Sequence, residues 1–358
     1  MKILLIGEYS GFHNLLKKGL ISNGHEVTLA AYGDGFKNLP ADILWKSSLQ
    51  YPGKLLDFYQ VFKSLQDLKD FDIVQFINPE IFSRKFGFNE RAINKLINQN
   101  KKSFLISAGD DCVVWDFWKD PLKNNERYTW IQDGLRHELA SKDLPWEQKS
   151  FIEFQNKLIN RIDGVIPIMY EYAQAYRNVD KARKTIGIPI NVDEIEFNEN
   201  ILNNNKLVVF HGLNRYGIKG TMYVEKAFEY LKKKYPNDLD LIIGKRLPFN
   251  EYLEILNKTN IVIDQTSSYS LGINALISMA KGKVVLGGAE PETDVEFGYD
   301  FNPAINILPD PKSIIKEIEK LLDTRSEISK IGQKSRHFVK TYHDHRMIAK
   351  QYCDEWSK

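Results

Sequence analysis

The chain has 358 residues, enough for two domains with separate cores, and a formal net charge of only +2 at pH 7. So even a balance excludes a nucleic-acid binder led by electrostatics, while leaving room for a local basic patch. Cys112 and Cys353 stand in no metal-ligand spacing and read as reduced thiols. The few apolar residues before Gly7 are too short for a signal peptide, and no apolar run reaches the length of a membrane span. These features predict a cytoplasmic protein, soluble or at most peripheral at the inner face of a membrane.

Lys2 to Ile6 reads as a buried strand, followed by the turn Gly7-Glu8-Tyr9-Ser10-Gly11. A helix then carries Leu15, Leu16, Leu20 and Ile21 on one face and stops at Asn23-Gly24, and a second strand covers Glu26 to Ala31. Gly7 and Gly11 do not form the G-x-G-x-x-G fingerprint, and Ala30-Ala31-Tyr32 offers no acid for a ribose, which argues against a dinucleotide enzyme. A strand at Asp72 to Ile77, a helix at Asn89 to Asn98 and a strand at Ser103 to Ser107 follow. The last ends in Gly109-Asp110-Asp111, and Val113 to Trp118 reads as an apolar loop. A long helix over about Trp146 to Ile162 and a strand from Gly164 to Met169 complete a mostly parallel, covered sheet. Periodicity lapses between Gly187 and Lys206, where the domain boundary falls: 1–188, then 189–340, with 341–358 expected to return to the first domain.

The second half opens on its most informative stretch. Leu207 to Phe210 is a strand; a loop with Gly212, Arg215, Gly217, Lys219 and Gly220 follows; then Tyr223, Val224, Ala227, Phe228 and Leu231 fall at helical spacing. Glycines, two cations and a helix N-terminus aimed at one spot suit a phosphate or diphosphate. An ordinary βα turn whose cations face water would have the same pattern. Strands at Leu239 to Ile243, Ile261 to Asp264 and Val284 to Leu286, and helices near Pro311 to Leu322 and Ile348 to Trp356, give a second parallel α/β domain. The loops near 212–220, 244–248, 265–272 and 287–293 are expected to converge at the carboxyl edge of its sheet. A helix opening at Gly272 would add a second N-terminus there. Asp70-Phe71-Asp72 and Asp238-Leu239-Asp240 have D-x-D spacing but stand where strands begin, so no metal site is read from them; His343-Asp344-His345 reads as helix capping rather than a metal cluster.

Three blocks, HGLNRYGIKGT, DQTSSYSLGINALISMAKGKVVLGG and GQKSRHFVKTYHDHRMIAKQYCDEW, resemble the nucleotide-sugar domain of glycosyltransferase family 4. The first domain is similar more loosely, through the Gly7–Gly11 turn and Asn23 to Val27. The resemblance implies the GT-B fold, two doubly wound parallel-sheet α/β domains facing a cleft. It also implies retaining transfer from a nucleotide diphosphate-sugar, without cofactor or metal, to a cell-surface glycan or lipid-linked acceptor. By that match Arg215 and Lys219 hold the diphosphate and stabilise it as leaving group. Gly212, Gly217, Ser270, Gly272, Asn274, Glu290 and Glu292 line the donor side, and Gly11, His13, Asp110, Asp111 and Trp115 the acceptor side. Alanine at Arg215 or Lys219 is expected to weaken nucleoside-diphosphate binding while leaving the fold intact. The two glutamates of the family fall here on Tyr269 and Ile277, and the histidine of its first-domain loop is absent from Ala108-Gly109-Asp110-Asp111. Asn274, with Ser270, is the candidate for the ribose contact. A nucleotide-sugar epimerase or hydrolase on the same fold, or a non-catalytic nucleotide-sugar-binding subunit, is the alternative reading.

Overall fold

The computed structural model describes the chain except for residues 36–37, 46–52, 121–143, 203–204, 214–215, 218 and 246–248, together with the side chains of 53–58, 245, 249–250 and 252–253. The chain divides into two compact units, one holding Met1–Asp116, Leu144–Asn191 and His345–Lys358, the other centred on Val192–Asp344. Each unit is built on a parallel sheet whose strands pair only with parallel neighbours.

In the first unit the strands are β1 (Lys2–Ile6), β2 (Glu26–Ala31), β3 (Ile43–Leu44), β4 (Ile73–Phe76), β5 (Lys102–Ser107) and β6 (Gly164–Pro167), in the order β3-β2-β1-β4-β5-β6. Ile3 to Ile6 of β1 are fully buried, as a central strand covered on both faces requires. The helices are α1 (Phe12–Ser22), α2 (Gly53–Asp67), α3 (Phe88–Asn98), α4 (Cys112–Lys119), α5 (Lys149–Arg161) and α6 (Tyr170–Tyr176), with α13 (His345–Ser357) closing the chain. α13 packs on α1 so closely that a Cβ at Gly19 would lie 2.1 Å from the His345 carbonyl oxygen. Strand order reverses between β1 and β4, which places the turns after those strands at the usual ligand position of such a sheet.

The second unit repeats the plan with β7 (Leu207–Leu213), β8 (Leu239–Lys245), β9 (Ile261–Ile263), β10 (Val284–Gly287) and β11 (Ile305–Asn306), ordered β11-β10-β9-β7-β8. Its helices are α7 (Thr221–Lys234), α8 (Phe249–Lys258), α9 (Ile273–Ala280), α10 (Pro291–Phe297), α11 (Pro311–Asp323) and α12 (Ile328–Tyr342). Leu207, Val209, Ile261, Ile263, Val284 and Leu286 meet Val224, Ala227, Leu231, Ile314 and Ile318 in one core. The strand order reverses between β7 and β9, where His211 pairs with Ile263. Residues leaving those two strands therefore diverge from a single point.

Three details differ from the sequence reading. Val113 to Trp118 belongs to helix α4, because Asp111 Oδ1 accepts from the N–H groups of both Val113 and Val114, 2.9 Å each, and so caps a helix start. β7 runs on to Leu213, so Gly212 is a strand residue paired with Gly244 rather than part of the glycine loop. α13 begins at His345, three residues before Ile348. Asp72 accepts from Lys2 N at 2.7 Å and Asp238 pairs with Arg325 at 3.2 Å, both where strands begin.

Candidate anion site of the second unit

The loops after β7, β9 and β10 meet through contacts closer than any side chain allows. A Cβ at Gly220 would fall 1.9 Å from Thr266 Oγ1, and one at Gly288 would fall 2.0 Å from the Ser268 carbonyl oxygen. Gly220 also has φ +63°, the left-handed region where glycine is free and other residues are strained. Beneath this junction Lys219 forms a buried ion pair with Asp264 Oδ1, and Asp264 lies directly after β9. The other carboxylate oxygen, Asp264 Oδ2, has no hydrogen-bond partner among the described residues and would be 3.2 Å from a Cβ on Gly272. Lys219 and the start of α9 are thus brought together across one aspartate.

Gly272 is the N-cap of α9 and has no side chain to cap it; among the described residues no bond is found for the N–H groups of Ile273, Asn274 and Ala275. Three aligned donors at a helix N-terminus carry roughly half a positive charge and suit an anion. The hydroxyls of Thr266 and Ser267, both buried on the loop after β9, also lack partners among the described residues. His211 lines the base of the site. Its Nδ1 donates to the Ile263 carbonyl at 3.0 Å and its Nε2 accepts from Thr221 Oγ1 at 2.9 Å. Burial lowers its pKa to about 4, so it is a neutral fixture and adds no charge.

Of the donor-side residues picked from sequence, Lys219, Gly217, Gly272 and Asn274 lie on these converging loops, while Arg215 lies outside the described residues. Asn274 is half-buried in the first turn of α9, with Ile277 half-exposed one turn on. Ser270 is buried, its hydroxyl 3.3 Å from Thr293 Oγ1. Thr293 Oγ1 also donates to the Tyr269 carbonyl at 2.9 Å, and Glu290 N donates to the same oxygen at 3.1 Å. Glu290 is the buried N-cap residue of α10 and Glu292 half-buried in its first turn. Asp264 and Thr266 escaped the sequence reading. An aspartate ending a buried strand beside a lysine–glycine loop was the available signal.

In the first unit, His13, Asp111 and Trp115 of the acceptor-side choices are buried. His13 has no exposed surface; its Nδ1 donates to the Gly7 carbonyl at 2.7 Å and its Nε2 lies 3.3 Å from Gln75 Nε2. Gln75 in turn accepts from Trp356 Nε1 at 3.2 Å, so His13 joins α1, β4 and α13 as a core residue, with its pKa lowered to about 4 by burial. It is not placed as a base for an acceptor. Asp111 caps α4 with one oxygen and accepts from Tyr176 Oη at 2.7 Å with the other; burial raises its pKa. Trp115 is buried, donates to Glu147 Oε1 at 2.8 Å and packs against Trp146. Gly11, left-handed at φ 91°, and Asp110, whose carbonyl accepts from Asn78 at 3.2 Å, remain at the carboxyl edge of the sheet. The missed neighbour is Glu8. It caps α1 in place of Gly11 by accepting from Asn14 N at 2.9 Å and Asn14 Nδ2 at 2.7 Å, and burial pushes its pKa up to about 7.

Among the described residues no three His, Cys, Asp or Glu side chains are grouped as metal ligands would be. His343 Nε2 is engaged by Tyr299 Oη at 3.0 Å at the end of α12.

No protein-family profile and no curated protein sequence matches the chain. Solved structures do. Sucrose-phosphate synthase from Thermosynechococcus elongatus is similar with a TM-score of 0.63 at 14% identity, over 99% of this chain and 98% of that one. HepE from Anabaena, solved with UDP and glucose, gives 0.60 at 12% identity over the whole of both chains. A glycosyltransferase from Rickettsia africae gives 0.59 at 12% identity, over 99% of this chain and 97% of that one. At such identities the likeness establishes the fold: two parallel-sheet α/β domains of the GT-B glycosyltransferase type.

Proposed function

We propose that this protein is a glycosyltransferase that takes a sugar from a nucleotide diphosphate-sugar. The observation that carries the reading is the anion site. Three N–H groups with no partner among the described residues open α9 beside Lys219, at the strand-order reversal of the second sheet, in a chain with a glycosyltransferase fold. A diphosphate placed there has its growing negative charge met by fixed dipoles and a cation as the sugar bond breaks, which is electrostatic stabilisation of a leaving group. HepE, solved with UDP and glucose, supports UDP as the first nucleotide to try.

The finer reading is retaining transfer, without metal or cofactor, to a glycan or lipid-linked acceptor of the cell envelope. It rests on the resemblance of the three sequence blocks and on the placement of Lys219 and Gly272. Asn274 is the residue assigned to the ribose. The test is calorimetry with UDP, GDP, ADP and dTDP, followed by transfer from the matching diphosphate-sugar and NMR of the product anomer. Binding of one nucleotide with transfer and retained anomeric configuration is expected. Binding without transfer to any acceptor tried, or hydrolysis of the sugar, would favour the binding subunit that Ile277 suggests, since an apolar residue stands where the family has a carboxylate. A flat panel would remove the nucleotide-sugar reading.

A further inference from the structure

Asp264 puts a negative charge of the protein's own where the site would take an anion. Its backbone is fixed, since its N–H donates to the Leu286 carbonyl at 2.8 Å, and its side chain is only 3% exposed. One carboxylate oxygen holds Lys219; the other has no hydrogen-bond partner among the described residues. Glycines flank the side chain. A Cβ at Gly272 would lie 3.2 Å from Oδ2, and one at Gly287 would lie 3.5 Å from Asp264 Cβ. His211 close by is neutral, and Glu225, the other acid that acts on His211, is engaged by Tyr216 Oη at 2.5 Å. Any group seated between Lys219 and the start of α9 therefore has the Asp264 carboxylate as its neighbour.

A buried carboxylate works against an anion placed beside it, because the two charges repel where water screens them little. It also holds an oxygen that can only accept a hydrogen bond. A nucleotide diphosphate-sugar suits such an oxygen, since the sugar brings hydroxyls that donate. The product of transfer does not. When the bond between the anomeric carbon and the phosphate oxygen breaks, the electron pair stays on the phosphate. The sugar passes to the acceptor oxygen, which gives up its proton. The terminal phosphate left behind has a second ionisation near pH 6, so at pH 7 it carries roughly one negative charge more than its sugar ester. A lysine and a helix N-terminus alone would hold that product more tightly than the donor.

The geometry points to Asp264 as the residue that separates nucleotide diphosphate-sugar from nucleoside diphosphate, accepting from a sugar hydroxyl of the first and repelling the added charge of the second. The inference rests on the nucleotide-sugar reading and deepens it, since it assigns release of the product to one carboxylate. It is distinct from the task of holding Lys219. A residue that only fixed Lys219 would act on both ligands alike, because both bring a diphosphate to that lysine.

The test is calorimetry of the full chain with UDP and UDP-glucose, and with GDP, ADP and dTDP beside their diphosphate-glucose forms where the uridine pair does not bind. The wild type is expected to bind the nucleoside diphosphate no more tightly than its sugar ester. Asp264→Asn should tighten the nucleoside diphosphate about tenfold and change the sugar ester by less than about threefold. In a transfer assay, that variant should be inhibited by its product at about tenfold lower concentration. Melting temperatures verify its fold, and where it does not fold the wild-type ratio decides alone. A wild type that binds the nucleoside diphosphate about tenfold or more tighter than its sugar ester overturns the inference. So does Asp264→Asn that shifts both ligands by the same factor; either result leaves the nucleotide-sugar reading standing. Wild-type protein that binds nothing in the panel removes that reading and the inference with it.

Discussion

The ion pair between Lys219 and Asp264 changes what a substitution at Lys219 must do. Lys219 was expected to be replaceable without harm to the fold, but both partners are buried, and Asp264 Oδ2 has no hydrogen bond among the described residues. Lys219→Met would remove from this buried carboxylate the cation paired with it. Removing one member of such a pair costs about 3–5 kcal/mol. Asp264→Asn should cost less, because the lysine it releases can reach towards solvent along its flexible stem. The double variant Lys219→Met/Asp264→Asn removes both charges and should recover about 2 kcal/mol or more of the Lys219→Met loss. Denaturant unfolding followed by circular dichroism gives the energies, and hydrogen exchange of peptides spanning β7 to β10 assigns them to the second unit. UDP titration supplies the independent arm. Lys219→Met should weaken binding about tenfold or more, the usual worth of a charge-assisted hydrogen bond, while Asp264→Asn keeps the cation and should bind UDP at least as well as the wild type. If Lys219→Met costs as much in the Asp264→Asn background as in the wild type, the two side chains are not coupled and this account of the site is wrong.

Three further predictions come from other parts of the structure. His13 and His211, one in each unit, have pKa values near 4 instead of 6.5, so the unfolded chain binds protons that the folded chain cannot. Their contribution is intact above pH 6.5 and declines as pH falls towards 4, by on the order of 3 kcal/mol each; His211→Gln should flatten that slope in a pH series of denaturant midpoints. Glu8 has the opposite sign, with its pKa up from 4.5 to about 7, so it opposes folding increasingly as pH rises through that window, and Glu8→Gln should raise the midpoint above pH 7. Gly220→Ala meets Thr266 Oγ1 at 1.9 Å and a φ of +63°, and should cost about 3 kcal/mol, of which Thr266→Ala relieves the steric part but not the roughly 1–2 kcal/mol of left-handed strain. Asn274→Ala should weaken a ribonucleotide a few-fold to about tenfold and its 2′-deoxy and 3′-deoxy analogues less; equal weakening of all three would mean that Asn274 does not read the ribose hydroxyls.

The second unit was legible in outline because its signals are local. Leu207 to Phe210 is continuous apolar sequence, Val224, Ala227, Phe228 and Leu231 repeat at helical spacing, and Gly272 and Gly282 bracket α9. Each of those features is decided within a few residues. The short strands Ile43–Leu44 and Ile305–Asn306 are too brief to hold a period, and they exist because a neighbouring strand supplies their partners. Helix α4 was read as a loop because its start depends on one aspartate side chain turning back onto two N–H groups, a contact with no periodic signature.

The site was less legible than the fold, and His13 and Lys219 explain why. Both are polar residues in the right loops, and sequence position alone gives each the same claim to chemistry. What separates them is the number of partners the protein itself provides. His13 has both ring nitrogens engaged, by Gly7 and Gln75, sixty-two residues from the latter, so nothing on it is left for a ligand. Among the described residues Lys219 is engaged by Asp264, forty-five residues away, and that partner keeps an oxygen with no bond there, next to three N–H groups that have none among those residues either. Buried polar groups in a settled core are satisfied, and a cluster of unsatisfied ones calls for a missing partner. The register of β7 against β9 creates that cluster, since it sets His211 beside Ile263 and so starts the Lys219 loop and Asp264 from one place. No spacing within either segment encodes that pairing, which is why the chain could show where an anion belongs without showing which carboxylate holds the lysine until it arrives.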